Sequence, residues 1–294
     1  TRSTSSAASD VYKRQKYNRL QNQPVASECM SPGALKGWGP KERETTLREF
    51  LTPPLEFSVD EASVILVSKE NRSVVGQKGS RTVLRLPKGP ESYNESFSFG
   101  HPRMHREVES ERMLANFHGT FYEVPFWIVG QAPLYTKMRP VSTHNKQISD
   151  FTTWNGLLVL AGLKSNISSS NRIFNSPNGK TSLWFGGIDE LWGFGKPVGV
   201  GGPWKNTMVS ANEPSDPYLM TGYDHKTLVL ESDQDCKIDA EIDIDHWTGF
   251  HPFKTFDLKA GKKISFEFPN GFAAHWIRFK ANKSVLVSAQ LIYK

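Results

Sequence analysis

The sequence predicts an all-β protein. Short runs of β-branched and aromatic residues recur from Leu55 onward, and glycine, asparagine or proline separates each run from the next. In the C-terminal part, apolar and polar side chains alternate, which is typical of strands with one buried and one solvated face. No long amphipathic helical pattern follows Pro54. The chain is therefore expected to consist of short strands joined by tight turns.

The N-terminal residues are treated separately from the fold. Residues 1–15 (TRSTSSAASDVYKRQ) have no apolar periodicity and resemble the translation of sequencing-adapter DNA. A non-native segment at this place implies that the true N-terminus, with any signal peptide, is missing. Residues 16–54 are predicted to be loop with one short helix over Lys41–Leu51, which Pro53 and Pro54 end.

Charge and composition exclude several classes of protein. The chain has 294 residues, with 36 Lys and Arg against 30 Asp and Glu, and the first 50 residues hold nine of the basic and five of the acidic ones. The remainder is nearly neutral, so no nucleic-acid partner is predicted. No apolar run is long enough for a membrane span. Cys29 and Cys236 have neither a CxxC motif nor a histidine pair beside them, so no disulfide framework, metal or cofactor is predicted.

The middle of the chain is predicted to form propeller blades. A blade strand is covered on both faces by its neighbours, so it can be apolar throughout, and glycines permit tight turns between strands. Segments 181–195 (TSLWFGGIDELWGFG) and 216–230 (DPYLMTGYDHKTLVL) each show strand, glycine turn and strand. Residues 55–230 are therefore predicted to form three to four blades of a partial or small β-propeller. The strand candidates are Ser63–Ser68, Thr82–Leu86, Gly119–Val124, Leu157–Ala161, Ser182–Phe185, Tyr218–Thr221 and Thr227–Leu230.

The C-terminal residues 231–294 are predicted to form an antiparallel, sandwich-like β domain. Isoleucine and alanine alternate with acidic residues in Lys237–Asp245 (KIDAEIDID), and every second residue is apolar in Ile264–Phe268 and in Val285–Tyr293. The acidic ladder of the first segment is expected to be solvated, because same-face residues of one strand lie about 6–7 Å apart, too far to share one cation without loop donors.

Four segments resemble a group of bacterial proteins of unassigned function. These proteins combine a propeller with a C-terminal β domain, and many carry secretion signals; the matching segments are Glu109–Pro125 (ESERMLANFHGTFYEVP), Arg139–Trp154, Leu183–Pro214 and His275–Tyr293. A more distant resemblance is to seven-bladed propellers that cleave rhamnose–glucuronate linkages. The resemblance implies an exported protein, secreted or periplasmic, with a carbohydrate partner. No motif of those enzymes matches residue for residue, so no catalytic residue is carried over.

The densest polar cluster lies between residues 101 and 123. A histidine or tyrosine there could act as general acid or base, and an arginine could bind a uronate carboxylate through two hydrogen bonds. The predicted catalytic residues are His118, His144 and Tyr122, and the predicted substrate-binding residues of this region are Arg112, Arg139 and Glu123. The alternative is that the histidines are core or turn residues with satisfied hydrogen bonds, and that the arginines and glutamates form a salt network between blades.

Several aromatic residues could stack on sugar rings or fill the core. Trp204 and Lys205 lie in the glycine-rich segment 199–206 (GVGGPWKN), where a loop that contacts substrate is one prediction. For Trp154 and Tyr218 the sequence is compatible with either role, whereas Trp184 and Trp192 are predicted to be core residues. Two hypotheses follow for function: an exported lyase or hydrolase acting on an acidic polysaccharide, and a non-catalytic propeller that serves as a binding module.

Overall fold

The computed structural model describes residues 55–69, 81–94, 105–108, 112–125, 135–163, 170–245 and 248–294. The predicted helix over Lys41–Leu51 lies outside the described residues. The described chain is all-β, as predicted, with short 3₁₀ helices at Glu91–Asn94, Tyr135–Lys137 and Ile188–Gly193. The strands of its first half are β1 (Leu55–Val59), β2 (Val64–Lys69), β3 (Arg81–Leu86), β4 (His105–Val108), β5 (Arg112–Phe117), β6 (Thr120–Val124), β7 (Arg139–Thr143), β8 (Asp150–Trp154) and β9 (Leu157–Leu163).

The second half continues the pattern of short strands and turns. Its strands are β10 (Ile173–Asn175), β11 (Ser182–Gly186), β12 (Gly199–Val209), β13 (Tyr218–Leu219), β14 (Lys226–Ser232), β15 (Cys236–Asp243), β16 (His251–Leu258), β17 (Ile264–Glu267), β18 (Trp276–Ala281) and β19 (Val285–Tyr293). Each strand candidate of the sequence corresponds to one of the strands β2, β3, β6, β9, β11, β13, β14, β15, β17 or β19.

The described strands pair into four sheets. The large sheet has the order β1-β2-β3-β13-β18-β15-β16, and the C-terminal sheet has the order β12-β19-β14-β17. The first small sheet is the meander β4-β5-β6-β7, and the second small sheet has the order β10-β11-β9-β8. Pairing is antiparallel except between β3 and β13, where Arg85 and Tyr218 are parallel neighbours.

The large sheet and the C-terminal sheet share one hydrophobic core. Alternation explains this directly: every second side chain of β19 is buried, and Ile238, Ala240 and Ile242 of β15 point into the same core. Lys237 and Asp239 of β15 stay exposed, whereas Asp243 at its end is buried. The ion pairs of Arg85 with Asp60 and with Asp216, each at 2.8 Å, connect β3 to the segment before β13. Strand β14 spans the predicted boundary at residue 230, and the division of the chain at that residue stays a prediction.

The two small sheets share a second core. Leu114 of β5, Phe121 of β6, Phe151 of β8 and Leu160 of β9 are buried together in it. The opposite face of the first small sheet contributes Ala115, Phe117 and Tyr122 to the core of the large sheet. Strands of this sheet are therefore covered on both faces, as in a propeller blade. The pairing of the described strands defines no closed ring of blades, and the propeller stays a prediction.

The glycine-rich segment 199–206 is a strand and not the loop that the sequence suggested. Gly201 and Gly202 lie in β12, where the pairing with β19 shifts register between Gly201 and Trp204. A Cβ at Gly202 would lie 1.9 Å from the carbonyl oxygen of Ala289, so only glycine allows β19 to approach this closely. Pro203 follows at the register shift, where a missing N–H removes no regular pairing bond.

Candidate functional site

His118 and His144 lie together at one end of the first small sheet. His118 and Gly119 form the two-residue turn between β5 and β6, with φ angles of 48° and 82°. Such positive values are required by a tight hairpin turn and are tolerated by glycine and, less readily, by histidine. His144 follows β7, and its backbone N–H donates to the carbonyl oxygen of Gly119 at 2.7 Å. The hairpin turn and the end of β7 are thus held against each other.

Each histidine has a defined partner at its Nε2 atom. The Asn94 Oδ1 accepts a hydrogen bond from His118 Nε2 at 2.9 Å, and the Asn116 Oδ1 accepts one from His144 Nε2 at 3.2 Å. The backbone N–H of Lys146 donates to His144 Nδ1, at 3.4 Å, so this nitrogen is an acceptor. The two partners of His144 fix the roles of both ring nitrogens, so its imidazole is assigned as neutral with the proton on Nε2. In His118 the bond to Asn94 assigns a proton to Nε2.

The histidines are closed off from solvent. Only 4% of His118 and 6% of His144 are exposed, and the ring of Tyr93 lies 5.9 Å from the first and 5.7 Å from the second, centroid to centroid. Burial lowers the pKa of His118, and the charge of Lys88 contributes to the same shift. Burial lowers the pKa of His144 to about 4.

This arrangement matches the alternative in which the histidines are turn and core residues. Both ring nitrogens of His144 have hydrogen-bond partners, as that alternative requires. In His118 only the Nε2 atom has the hydrogen bond that this alternative requires, because its Nδ1 is buried without a hydrogen-bond partner among the described residues. A neutral Nδ1 with no attached hydrogen tolerates such burial better than a charged ring would.

Tyr122 is separate from the histidines and lies in the core of the large sheet. Its hydroxyl lies 3.5 Å from the hydroxyl of Tyr223, whose ring stacks on Tyr293 with centroids 4.2 Å apart. The hydroxyl of Tyr293 donates to the carbonyl oxygen of Leu219 at 2.7 Å. Burial raises the pKa of Tyr122 to about 12, so its phenol stays protonated at neutral pH. A fully buried, neutral phenol has no access to a solvent-borne substrate in this structure.

The predicted substrate-binding residues of the polar cluster lie at the other end of the same sheet. Glu123 of β6 is paired with Arg139 of β7, at the end of these strands opposite to the two histidines. Arg139 is exposed and Glu123 is half-buried. Arg112 begins β5, and its side chain lies outside the described residues. The structure therefore brings His118 and His144 together, and it separates them from Glu123, Arg139 and Tyr122.

Trp204 and Lys205 occupy neighbouring positions of β12 but face different environments. The ring of Trp204 is buried in the core of the large sheet and lies 6.2 Å from the ring of Phe279. Lys205 is exposed. Stacking of Trp204 on a sugar ring would require the core to open, and its substrate-binding role has no support from this geometry.

The described residues contain no group of three or more His, Cys, Asp or Glu side chains that could hold a metal ion. In the acidic ladder, the Glu241 carboxylate accepts hydrogen bonds from Arg278 and Lys280, each at 2.7 Å. Asp239 accepts a hydrogen bond from the hydroxyl of Thr255. Ion pairing and hydrogen bonding across neighbouring strands thus satisfy part of a ladder that was predicted to be solvated, and Asp243, another member of it, is buried. No helix of the described segments has the length and apolar character needed to cross a membrane.

The outer face of the second small sheet carries exposed aromatic rings. We call Trp154 of β8, Phe174 of β10 and Phe185 of β11 the outer aromatic face. Trp154 is 52% exposed and Phe174 is 56% exposed. The ring of Phe185 lies between them, 6.2 Å from Trp154 and 5.3 Å from Phe174, edge to face in both contacts.

Alternation within each strand positions these rings. Phe151 and Thr153 of β8 are buried, so Thr152 and Trp154 point outward. In β11, Trp184 points inward, as predicted, and Phe185 points outward. Phe174 could have been found only from the register of β10 with β11, because β10 is too short to show alternation by itself.

Trp192 is not a core residue, and the prediction that placed it there was wrong. It lies on the 3₁₀ helix Ile188–Gly193 and is 50% exposed. The neighbouring Leu191 is fully buried instead, because a helical turn sends adjacent side chains in different directions.

A variant of the turn separates a structural from a catalytic role of His118. His118→Ala is expected to lower the free energy of unfolding by about 1–2 kcal/mol, because it removes the bond to Asn94 and places alanine at a positive φ angle. His118→Asn tolerates this φ angle and should lose less stability. Urea unfolding of both variants measures the difference. Unchanged stability of His118→Ala together with loss of a polysaccharide-cleaving activity would favour the catalytic role instead.

No known protein family and no curated protein sequence matches the chain. Among solved structures, similarity was found to an apo structure of BiXyn10A CBM1 (9% identity, 47% of this chain and 74% of the other, TM-score 0.18). A second is a point mutant of a carbohydrate binding module of family 29 (7% identity, 60% and 88%, TM-score 0.18). A third is an exo-beta-1,3-galactanase from Phanerochaete chrysosporium with galactose (6% identity, 81% and 68%, TM-score 0.22). At these TM-scores the similarities carry no argument about fold or function. A function is therefore inferred from the candidate site alone.

Proposed function

We propose that the protein binds a carbohydrate chain through the outer aromatic face and that this binding is non-catalytic. The observation that carries the proposal is the exposure of Trp154 and Phe174 on one side of a sheet whose other side is packed in a core. Large aromatic side chains gain substantial free energy when their rings are covered. An exposed row of rings is therefore a surface that a ligand can stabilise.

The composition of this face suits a sugar ring. The C–H groups on one side of a pyranose form a weakly polar surface that can lie on an aromatic ring, while hydroxyl groups at its edge need hydrogen-bond partners. Thr152 lies on the same face as Trp154, and Asn155 follows at the exposed turn between β8 and β9. These side chains supply a hydroxyl and an amide beside the rings. Three rings in a row offer contacts to more than one sugar unit of a chain.

The binding test uses a matched tryptophan as control. Trp154→Ala and Phe174→Ala, combined in one variant, are expected to weaken polysaccharide binding by about tenfold or more, because two half-exposed stacking platforms are lost. Trp192→Ala removes an equally exposed tryptophan from a different element and should bind like the unchanged protein. Retardation in gels that contain xylan, galactan, pectin or alginate, followed by calorimetry with the oligosaccharide that binds best, measures the effect. Equal binding by both variants would refute the proposal.

A second candidate is self-association of the protein, in which a second copy docks on the same face. Leu157, which pairs with Trp154 across the β8–β9 hairpin, is also exposed, and such an aliphatic contribution favours a protein surface over a sugar. Concentration-dependent association of the protein, abolished in the Trp154→Ala, Phe174→Ala variant, would indicate this second candidate.

The acidic nature of the glycan, cleavage at His118 and His144, and export to the periplasm or the medium remain proposals. Release of unsaturated or reducing ends from polyuronates tests the cleavage.

A further inference from the structure

An open cavity lies at the edge of the core of the large sheet, and Tyr223, the neighbour of Tyr122 in that core, is part of its lining. Its volume is about 400 Å³, and two loops form it, residues 221–226 before and into β14 and residues 270–273 before β18. A cavity of this size can hold one monosaccharide or another small organic molecule. Its lining includes the polar side chains of Asp224, His225, Lys226 and Asn270.

Lys226 is the unusual member of this lining. The residue is only 6% exposed, and its ammonium group donates to the carbonyl oxygens of Tyr223 at 2.5 Å and Phe272 at 3.0 Å. These two bonds connect the two loops that form the cavity. An ammonium group has three donors, and no third acceptor is present among the described residues. Buried lysines are normally paired with a carboxylate, because an unpaired buried charge is costly.

The carboxylate nearest to Lys226 in the sequence, that of Asp224, already has another partner. Asp224 forms an ion pair with Lys196 at 2.6 Å, and this partner lowers the pKa of the Asp224 carboxyl group. Burial lowers the pKa of Lys226, whereas the charge of Asp224 acts in the opposite direction. Asp224 is exposed, so its interaction with the cavity is screened by solvent. The exposed imidazole of His225 and the amide of Asn270 add hydrogen-bond donors to the same lining.

We propose that this cavity binds the carboxylate of a small organic acid, with Lys226 as the ion-pair partner. A carboxylate would accept the third N–H of the ammonium group and neutralise its charge, while His225 or Asn270 donates to the second oxygen. The apolar atoms of Phe272 and Ala273 complete a lining that suits a ligand with a carbon skeleton. The carboxylate can come from a uronate unit of a glycan or from a free small acid. This site is independent of the outer aromatic face.

The experiment compares two carboxylic acids with a neutral sugar. Methyl glucuronide and acetate are titrated into the protein and followed by amide chemical shifts of residues 221–226 and 270–273, with methyl glucoside as the neutral control. We expect both acids to shift these signals and methyl glucoside to leave them unchanged. Tighter binding of methyl glucuronide than of acetate would identify a uronate as the source, and equal binding would identify free small acids. Absence of binding by both acids would overturn the proposal.

Variants test which residue binds the acid. Lys226→Met should abolish the shifts, provided that circular dichroism shows a folded protein. Since this variant can also fail to fold, two exposed positions provide a second test: Asp224→Asn should tighten binding by about threefold, and Lys196→Met should weaken it by a similar factor, because the net charge beside the cavity changes in opposite directions. The combined Trp154→Ala, Phe174→Ala variant should bind the acids normally, which separates this site from the proposed glycan surface. Equal affinity of the Asp224 and Lys196 variants would argue against the site.

Discussion

Replacing Gly202 with alanine is expected to cause the largest loss of stability of any single substitution considered for this protein. The added Cβ would lie 1.9 Å from the carbonyl oxygen of Ala289, 2.9 Å from its carbonyl carbon and 3.0 Å from the Cα of Gln290. All three are backbone atoms of β19, so no side-chain rotation can relieve the overlap. Strand β19 would have to move away from β12 in the C-terminal sheet. We expect the free energy of unfolding to fall by about 3 kcal/mol, which is at the upper end of what overpacking causes, or the variant to fail to fold.

Gly193→Ala is the matched control for this substitution. A Cβ at Gly193 would have no atom within 4 Å, and its φ angle is negative. Alanine there should leave stability unchanged or raise it by a few tenths of a kcal/mol, because it restricts the unfolded chain. Thermal or urea unfolding of the two variants, beside the unchanged protein, measures the contrast. Similar stability of Gly202→Ala and Gly193→Ala would show that β12 and β19 do not approach as closely as described.

Acidification is expected to destabilise the protein through His144. Burial lowers the pKa of this imidazole to about 4 in the folded state, whereas an unfolded chain has the ordinary value near 6.5. Between these two values the unfolded state binds more protons than the folded state. Stability therefore falls as the pH falls through this range and is fully present above it. The difference corresponds to about 3 kcal/mol from His144 alone.

His144→Gln isolates this contribution from those of the carboxylates. Burial by itself would raise the pKa of the Glu241 carboxyl group, but hydrogen bonds from Lys280 and Arg278 lower it. Carboxyl groups with a lowered pKa also make the protein less stable in acid. Glutamine cannot titrate but can still donate to the Asn116 Oδ1. Free energies of unfolding measured at several pH values between about 4 and 7 should therefore show a shallower slope for the variant. An unchanged slope would mean that His144 does not stay neutral in the folded protein.

The sequence by itself determined the local structure of this protein. Alternation in Lys237–Asp245 and Val285–Tyr293 predicted the buried positions of β19 and those of β15 as far as Ile242, because the pleat of a strand sends successive side chains to opposite faces. Beyond Ile242 the prediction was wrong: Asp243 is buried and Ile244 is 60% exposed. Glycine, asparagine and proline between the runs predicted where the strands end, since tight turns select such residues. The all-β class follows from these local signals.

Only the tertiary structure decided which of these strands lie against one another and what remains exposed. Trp204 and Trp192 both lie in glycine-rich aromatic segments, yet the first is buried against β18 and the second is on an exposed 3₁₀ helix. The predicted polar site residues are spread along β5, β6 and β7. One end of the sheet therefore receives the two buried histidines, and the other receives Glu123 and Arg139. Burial depends on contacts between residues far apart in the chain, such as β3 with β13, and no local period encodes such contacts. The outer aromatic face and the cavity at Lys226 are products of these long-range contacts, and for that reason neither was apparent from the order of residues alone.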